Sequence, residues 1–216
     1  CIRDRYIPLR YKSRKDKHPP IIAICDVSGS MSRYSRMLLH FMHVLTTLRN
    51  DVHTFLFGTR LTNVTRFLRF KDVDEALAAT SSAVEDWSGG TRIGDCLKEF
   101  NFNWSRRVLG PGAIVLFITD GLDRGGGIGL SKQIKLIQKS SKRLIWLNPL
   151  LRYEEFAPKP TGVKAILPHV DEFRPIHSLE SMDQLVNALS ETNLQSRFNM
   201  APWLEKLSEI ENAEYH

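Results

Sequence analysis

The sequence lacks the features that mark a membrane-spanning or disulfide-stabilised protein. No run of about 18 uninterrupted apolar residues occurs, and no charged-then-apolar leader opens the chain. Only three cysteines are present, Cys1, Cys25 and Cys96, and Cys25 lies inside an apolar run, which fits neither a disulfide framework nor a zinc site. We therefore expect a soluble protein in a reducing, cytoplasmic compartment. Because the chain begins with Cys1 rather than methionine, we also expect it to be part of a longer protein.

An ATP site is also without a sequence signal. The phosphate-binding pattern GxxxxGK[ST] does not occur, and no internal repeat or low-complexity segment interrupts the chain. The length of 216 residues and the hydrophobic content of 42% suit one α/β domain with a sizeable core and short extensions.

The net charge of +6 is partly concentrated in a basic arm near the start of the chain. The basic residues of this arm are Arg10, Lys12, Arg14, Lys15 and Lys17. Such a cluster is able to contact nucleic acid, an anionic lipid surface or an acidic protein. Because no aromatic platform or nucleic-acid motif accompanies it, we expect a solvated arm and no nucleic-acid partner.

The hydrophobic pattern alternates between buried strands and amphipathic helices. Continuous apolar runs predict strands covered on both faces, and apolar residues three and four positions apart predict helices. Strands are predicted at 21–25, 52–57, 61–68, 113–119, 143–147 and 163–167, with 61–68 as an antiparallel edge strand. Helices are predicted at 37–48, 73–84, 97–104, 134–138 and 179–189, with Ser178 as a helix cap. These elements predict a doubly wound, Rossmann-like α/β fold with a mostly parallel sheet and helices on both faces.

The chain divides into three parts by composition. We expect the basic arm to occupy residues 1–18, the α/β domain residues 19–192, and a tail residues 193–216. The tail carries the apolar residues Phe198, Trp203, Leu204 and Leu207. A short docking helix and a frayed terminus are equally compatible with this pattern.

Polar residues follow two of the predicted parallel strands at the point where each strand ends. Asp26, Ser28 and Ser30 follow the first strand in a tight loop, and Asp120 follows the strand at 113–119. A third loop, glycine-rich, ends in Thr91. Because ligands of such sheets bind at the carboxyl ends of the strands, we expect two carboxylates and three hydroxyls to share one crevice.

A set of oxygen ligands of this kind selects a hard cation. Mg²⁺ prefers octahedral oxygen coordination and commonly keeps a position for water or an outside oxygen, and Mn²⁺ is an acceptable substitute. A divalent ion also removes the repulsion between two clustered carboxylates. Since the other ligands are neutral hydroxyls, a carboxylate from another protein is a natural final ligand.

The pattern Asp26-x-Ser28-x-Ser30, together with Thr91 and Asp120, resembles the metal-ion-dependent adhesion site (MIDAS) of von Willebrand factor A (VWA) domains. All five motif positions are present. The resemblance implies that the two serines bind the metal directly, that the threonine binds it in the ligand-bound state, and that the two aspartates bind it directly or through water. It covers roughly residues 20–189, and so implies the VWA fold for most of the chain.

Three segments carry a narrower resemblance, at 115–123, 144–150 and 170–179. They are similar to the bacterial CoxE-like family of VWA proteins. That resemblance implies a non-enzymatic, chaperone-like role beside a MoxR-type AAA+ ATPase in the maturation of a metalloenzyme client, such as a molybdenum-containing carbon monoxide dehydrogenase.

Other interpretations compete with the metal site. Aspartate and serine after strands often only cap helices. A Mg²⁺-dependent phosphotransferase would use Asp26 as its nucleophile, but the related phosphatases carry a second aspartate where this chain has Ser28. An RNA-associated VWA scaffold is suggested by the basic arm. We interpret Asp123 as a solvated turn acid, and His40 and His43 as packing or surface residues rather than metal ligands.

Overall fold

The computed structural model describes residues 18–84, 90–127, 129–153, 156–190 and 200–214. These residues contain six strands: β1 (Ile21–Asp26), β2 (Val52–Phe57), β3 (Leu61–Asn63), β4 (Ile114–Ile118), β5 (Arg143–Asn148) and β6 (Glu172–Pro175). The strands form one sheet in the order β3-β2-β1-β4-β5-β6. Only β3 runs antiparallel to its neighbour, β2, which confirms the predicted mixed sheet with one antiparallel edge.

Eight α-helices surround this sheet in the described residues. They are α1 (Ser32–Leu48), α2 (Val73–Ala83), α3 (Ile93–Glu99), α4 (Ser105–Val108), α5 (Leu130–Ser140), α6 (Thr161–Ile166), α7 (Leu179–Ser190) and α8 (Ala201–Glu214). Short 3₁₀ turns occupy Gly29–Met31, Phe67–Arg69, Pro149–Arg152 and Leu167–His169, and a π-helical turn occupies Phe100–Trp104 between α3 and α4.

The sheet divides the core into two layers. Apolar residues of α1, α2 and α7 cover one face of the sheet, and those of α3, α5, α6 and α8 cover the other. The central strands β1 and β4 are buried along their whole length, as expected for parallel strands that are covered on both sides. The doubly wound α/β fold is thereby confirmed.

The order of the strands creates the crevice in which a site is expected. β1 pairs in parallel with β2 on one side and with β4 on the other. Connections from β1 and β4 leave toward opposite faces, because α1 lies in one layer and α5 in the other. At such a switch point the two loops diverge and leave room for a ligand.

One of the predicted strands was wrong, and another was too long. The segment 163–167 is not a strand: Val163 and Ile166 lie in α6, Leu167 begins the 3₁₀ turn that follows it, and all three are buried. Apolar residues at spacings of three and four lie on one helix face, and Pro160 precedes the helix. The sixth strand is instead β6, which carries the charged residue Glu172.

The predicted strand 61–68 was also wrong in its length. β3 ends at Asn63, whose side-chain Oδ1 accepts a hydrogen bond of 3.0 Å from the backbone N–H of Thr65. This local bond turns the chain away from the sheet edge. The helix predicted at 97–104 begins earlier, at Ile93, and passes into the π-helical turn.

Helix α7 begins as predicted. The Oγ of Ser178 accepts a hydrogen bond of 3.2 Å from the N–H of Ser181, which is the expected capping contact. Beyond α7, helix α8 packs Trp203 against Phe173 of β6 with ring centroids 5.2 Å apart, and Leu207 is buried. The boundaries of the arm and tail stay predictions, and the basic arm up to Lys17 lies outside the described residues.

No helix in the described part of the chain is long and apolar enough to cross a membrane.

Candidate metal centre

The carboxyl ends of β1 and β4 bring two aspartates together. Cys25 pairs with Ile118 in the parallel register, so the residues that follow them, Asp26 and Thr119, leave the sheet side by side. Asp120 comes next. The side chains of both aspartates are buried, with Asp26 1% exposed and Asp120 2% exposed. Two acids predicted from strand ends therefore lie in one crevice.

Hydrogen bonds fix both oxygens of the Asp26 carboxylate. Oδ1 accepts from the backbone N–H of Ser28 at 2.8 Å, and Oδ2 accepts from the hydroxyl of Thr119 at 2.8 Å. The Thr119 hydroxyl in turn accepts from the N–H of Gly121 at 3.1 Å. The loops after β1 and β4 are thus joined through the carboxylate itself, and its orientation is set before any ligand arrives.

The two serines of the first loop lie next to each other. The hydroxyl oxygens of Ser28 and Ser30 are 3.1 Å apart, because the 3₁₀ turn Gly29–Met31 folds the chain back on itself. Ser28 is buried and Ser30 is exposed. The pair therefore offers one inner and one outer hydroxyl at the mouth of the crevice.

Thr91 reaches the same region through the backbone. Its side chain is 4% exposed, and its carbonyl oxygen accepts a hydrogen bond of 3.0 Å from the N–H of Arg124, in the loop after β4. Within the described residues, no hydrogen bond joins the Thr91 hydroxyl to the other four candidates. Residues 85–89, which include the start of this glycine-rich loop, lie outside the described residues.

Asp123 is not the solvated turn acid that the sequence suggested. Its Oδ1 accepts from the N–H of Ile93 at 3.0 Å, and its Oδ2 accepts from the N–H of Gly127 at 2.9 Å. The first contact satisfies a free N–H at the start of α3. Asp123 therefore ties the loop after β4 to the helix that follows Thr91, and both of its oxygens are occupied within the protein.

Glycines allow this loop to pack tightly on α6. Gly121 has a φ of +81°, a conformation that side chains disfavour. A Cβ added at Gly162 would lie 2.3 Å from the carbonyl oxygen of Gly121. The carbonyl groups of Thr119 and Asp120 also accept hydrogen bonds from the side chains of Trp146 and Asn148 of β5.

Sequence reasoning missed these supporting residues. For Asn148, a signal was present, because it ends the strand next to β4 at the same edge of the sheet. For Gly162, no local pattern exists, since its requirement comes from a residue 41 positions away in the chain.

The electrostatics of the crevice favour a cation. The pKa of Asp26 is raised from its ordinary value of 3.8 to about 6, chiefly by burial and to a smaller extent by the nearby charge of Asp120, while the hydrogen bonds from Ser28 and Thr119 oppose the shift. Neither aspartate forms an ion pair with a lysine, arginine or histidine in the described part of the chain. Two buried, adjacent carboxylates without a counter-charge are costly to ionise together, so the residues present fit a divalent ion.

The donor set fits an oxygen-ligated metal site rather than a histidine- or cysteine-rich one. Across the ranges that the structure describes, no cluster of three histidine, cysteine, aspartate or glutamate side chains is able to share a metal. Any ion held here would need hydroxyl oxygens to complete its ligands. His43 is used elsewhere, since its Nε2 lies 2.9 Å from the carbonyl oxygen of Phe70, and His40 is exposed.

The family follows from the sequence of the whole domain. A profile described as "VWA domain containing CoxE-like protein" matches residues 3–182. The chain belongs to this family. VWA domains of this kind are generally protein-interaction modules. No curated protein matches the sequence at a significant level.

Solved structures share the VWA fold. Proximal thread matrix protein 1 from the mussel byssus matches with 18% identity and a TM-score of 0.53, over 81% of this chain and 47% of that protein. A second structure of it, with a zinc-occupied MIDAS motif, matches with 17% identity and a TM-score of 0.51, over 81% and 47%. The pilus adhesin SpaC from Lactobacillus rhamnosus GG matches with 13% identity and a TM-score of 0.54, over 81% and 30%. The CoxE-like chain thus spans less than half of either protein, and these similarities show the fold alone.

Proposed function

We propose that this domain is a metal-dependent protein-binding module that holds Mg²⁺, with Mn²⁺ as a substitute, and grips a carboxylate of a partner protein. The ligands we propose are Asp26, Ser28, Ser30, Thr91 and Asp120. Bound there, the ion would supply a positive charge with a coordination position for an outside oxygen.

One observation carries this proposal: the two buried carboxylates of Asp26 and Asp120 have no counter-charge in the described protein. A purely structural role would not require both acids to be buried side by side, because uncharged side chains would make the same loop contacts without the cost of ionisation. The fixed orientation of Asp26 further supports a ligand role, since a preformed site loses less entropy when it binds.

Positively charged side chains around the crevice favour an acidic partner. Arg92 and Arg124 are exposed beside Thr91, and the guanidinium of Arg124 lies across Gly90, where an added Cβ would be 2.5 Å from its Nη1. A positive rim attracts an approaching acidic segment and speeds its association. Aspartate or glutamate is therefore the partner residue that we propose.

The family supports a more specific role within the same proposal. We propose that the domain works in the cytoplasm with a MoxR-type AAA+ ATPase in the maturation of a metalloenzyme client. The absence of a phosphate loop from the sequence supports a division of labour in which the partner hydrolyses ATP.

A phosphotransferase remains a different class of function. Ser28 occupies the place where the related phosphatases carry their second acid. We therefore favour binding over catalysis. An assay with an aryl phosphate separates the two functions, because turnover that disappears in Asp26→Asn would support the enzyme.

Calorimetric titration with Mg²⁺ tests the proposed site directly. We expect Mg²⁺ to bind the wild type and to bind Asp120→Ala at least about tenfold more weakly. Asp95→Ala is the control, because Asp95 is an exposed acid of α3 and is not one of the proposed ligands. Equal Mg²⁺ affinity of Asp120→Ala and the control variant would contradict the proposal.

A further inference from the structure

A second concave site lies at the antiparallel edge of the sheet, away from the metal centre. This edge cavity has a volume of about 510 Å³ and is lined by His53, Asn63, Thr65, Arg66, Arg69 and Trp104. His53 is the second residue of β2, so the cavity lies toward the amino ends of the parallel strands, whereas the candidate metal ligands follow the carboxyl ends. Its size falls within the range of about 300–1,000 Å³ that is usual for small-molecule sites.

Two arginines give the edge cavity its positive charge. Arg66 is held with its guanidinium carbon 4.5 Å from the ring centroid of Phe67, and Arg69 donates from Nη2 to the carbonyl oxygen of Asn50 at 3.2 Å. These contacts hold the two guanidinium groups but use only part of their donors. In the described ranges neither forms an ion pair with a carboxylate.

The pKa of His53 is consistent with a positive charge in the edge cavity. Its pKa is lowered, first by burial and second by the charge of Arg69, with Asp51 opposing the shift. Guanidinium groups that converge without an acidic partner are well suited to a phosphate, which accepts paired hydrogen bonds from arginine.

An aromatic side chain, Trp104, also lines the edge cavity. Trp104 ends the π-helical turn between α3 and α4 and is half-buried. Phe55 supports its ring from within the core, with centroids 5.3 Å apart. Turns of the π type often occur at functional sites, and an aromatic ring next to arginine is the combination on which nucleobases stack.

We propose that the edge cavity binds a nucleotide, with Arg66 and Arg69 at the phosphate and Trp104 against the base. The same chemistry is offered by a free mononucleotide and by one nucleotide of a single strand. A neighbouring cavity of about 570 Å³ shares Arg69 and adds Lys71 and Phe70. This neighbour would take a second nucleotide only when the ligand is a strand.

Fluorescence titration of the whole chain in EDTA tests this site apart from the metal centre. The ligands are AMP, inorganic phosphate and an oligoadenylate of about five nucleotides. We expect Arg66→Gln and Arg69→Gln each to weaken AMP binding by about tenfold or more. Arg106→Gln, on the exposed surface of α4 and outside the cavity lining, is the control of equal charge and should leave binding unchanged. Trp104→Leu should weaken the binding of AMP but not the binding of phosphate, as measured by calorimetry.

The Lys71→Gln variant distinguishes a free mononucleotide from a nucleotide of a single strand. Weaker binding of the oligoadenylate with unchanged AMP binding would identify a single strand, and no effect on either ligand would identify a free nucleotide. The proposal is overturned if neither ligand binds, if Arg106→Gln weakens AMP as much as Arg66→Gln does, or if an oligoglutamate peptide binds more tightly than both. Arg66 is exposed, so its variant tests the site even if Arg69→Gln fails to fold.

Discussion

Replacing Asp26 by asparagine should stabilise the metal-free protein while abolishing Mg²⁺ binding. In the absence of metal the buried carboxyl has a pKa of about 6 rather than 3.8. Below pH 3.8 the group is protonated in both the folded and unfolded chains. As the pH rises from the unfolded-state pKa to the folded-state pKa, the unfolded chain releases this proton more readily than the folded chain, in which the carboxylate would be buried, so stability falls. An asparagine never ionises and escapes this loss.

The size of the effect follows from the two pKa values. A tenfold change in this equilibrium is worth about 1.36 kcal/mol, so ionisation costs the metal-free fold about 3 kcal/mol at neutral pH. Asparagine keeps the acceptor for the N–H of Ser28 but cannot accept from Thr119 through its amide nitrogen, which costs about 1 kcal/mol at every pH. About 1 kcal/mol of the cost of ionisation is already present at a pH of about 4.5 and nearly all of it at about 7.5, so the advantage of the variant should grow by about 2 kcal/mol between these pH values.

Urea unfolding in EDTA at these two pH values measures this difference. Asp95→Asn, which removes an exposed acid of α3, is the control variant. Adding Mg²⁺ should stabilise the wild type through binding to the folded state and leave Asp26→Asn unchanged. An advantage of the asparagine variant that is the same at both pH values, or that shrinks as the pH rises, would contradict a raised pKa of Asp26 in the metal-free fold.

Three further substitutions test the support of the site and of the sheet. Gly162→Ala places a Cβ 2.3 Å from the carbonyl oxygen of Gly121 and should cost about 1–3 kcal/mol and weaken Mg²⁺ binding; thermal unfolding at the wild-type temperature would contradict this packing. Asp123→Ala removes the acceptor of two backbone N–H groups and should cost about 1–3 kcal/mol in urea unfolding, whereas a solvated acid would cost almost nothing. Glu172→Ala leaves Arg143 without its buried partner and should lower the free energy of unfolding by about 3–5 kcal/mol. Because β6 lies two strands from β4, the Mg²⁺ affinity of this variant should not change. A loss of Mg²⁺ affinity would place β6 in the site.

The parts of the fold that the sequence predicted well are those in which hydrophobicity alone decides the structure. β1 and β4 are buried throughout, so their apolar runs are continuous and their ends are sharply marked by Asp26 and Asp120. Since parallel strands present their carboxyl ends at one edge, the meeting of these two acids was predictable. It required no knowledge of any distant contact.

The parts that were missed depend on contacts between distant segments. β6 carries Glu172, which is buried only because Arg143 of β5 and Arg174 pair with it, so no apolar run announces the strand. Val163 and Ile166 looked like strand residues in a short window, but their spacing suits a helix face. The role of Asp123 depends on the N–H of Ile93, 30 positions earlier, which a local pattern does not reveal.

Binding of a partner through the metal is tested most directly by a pull-down from lysate of the native organism, followed by mass spectrometry of the retained proteins. The wild type and Asp120→Ala are each compared in Mg²⁺ and in EDTA. We expect an AAA+ ATPase or a metalloenzyme to be retained only by the wild type and only in Mg²⁺. Retention of the same partners in EDTA, or by Asp120→Ala, would contradict binding through the metal.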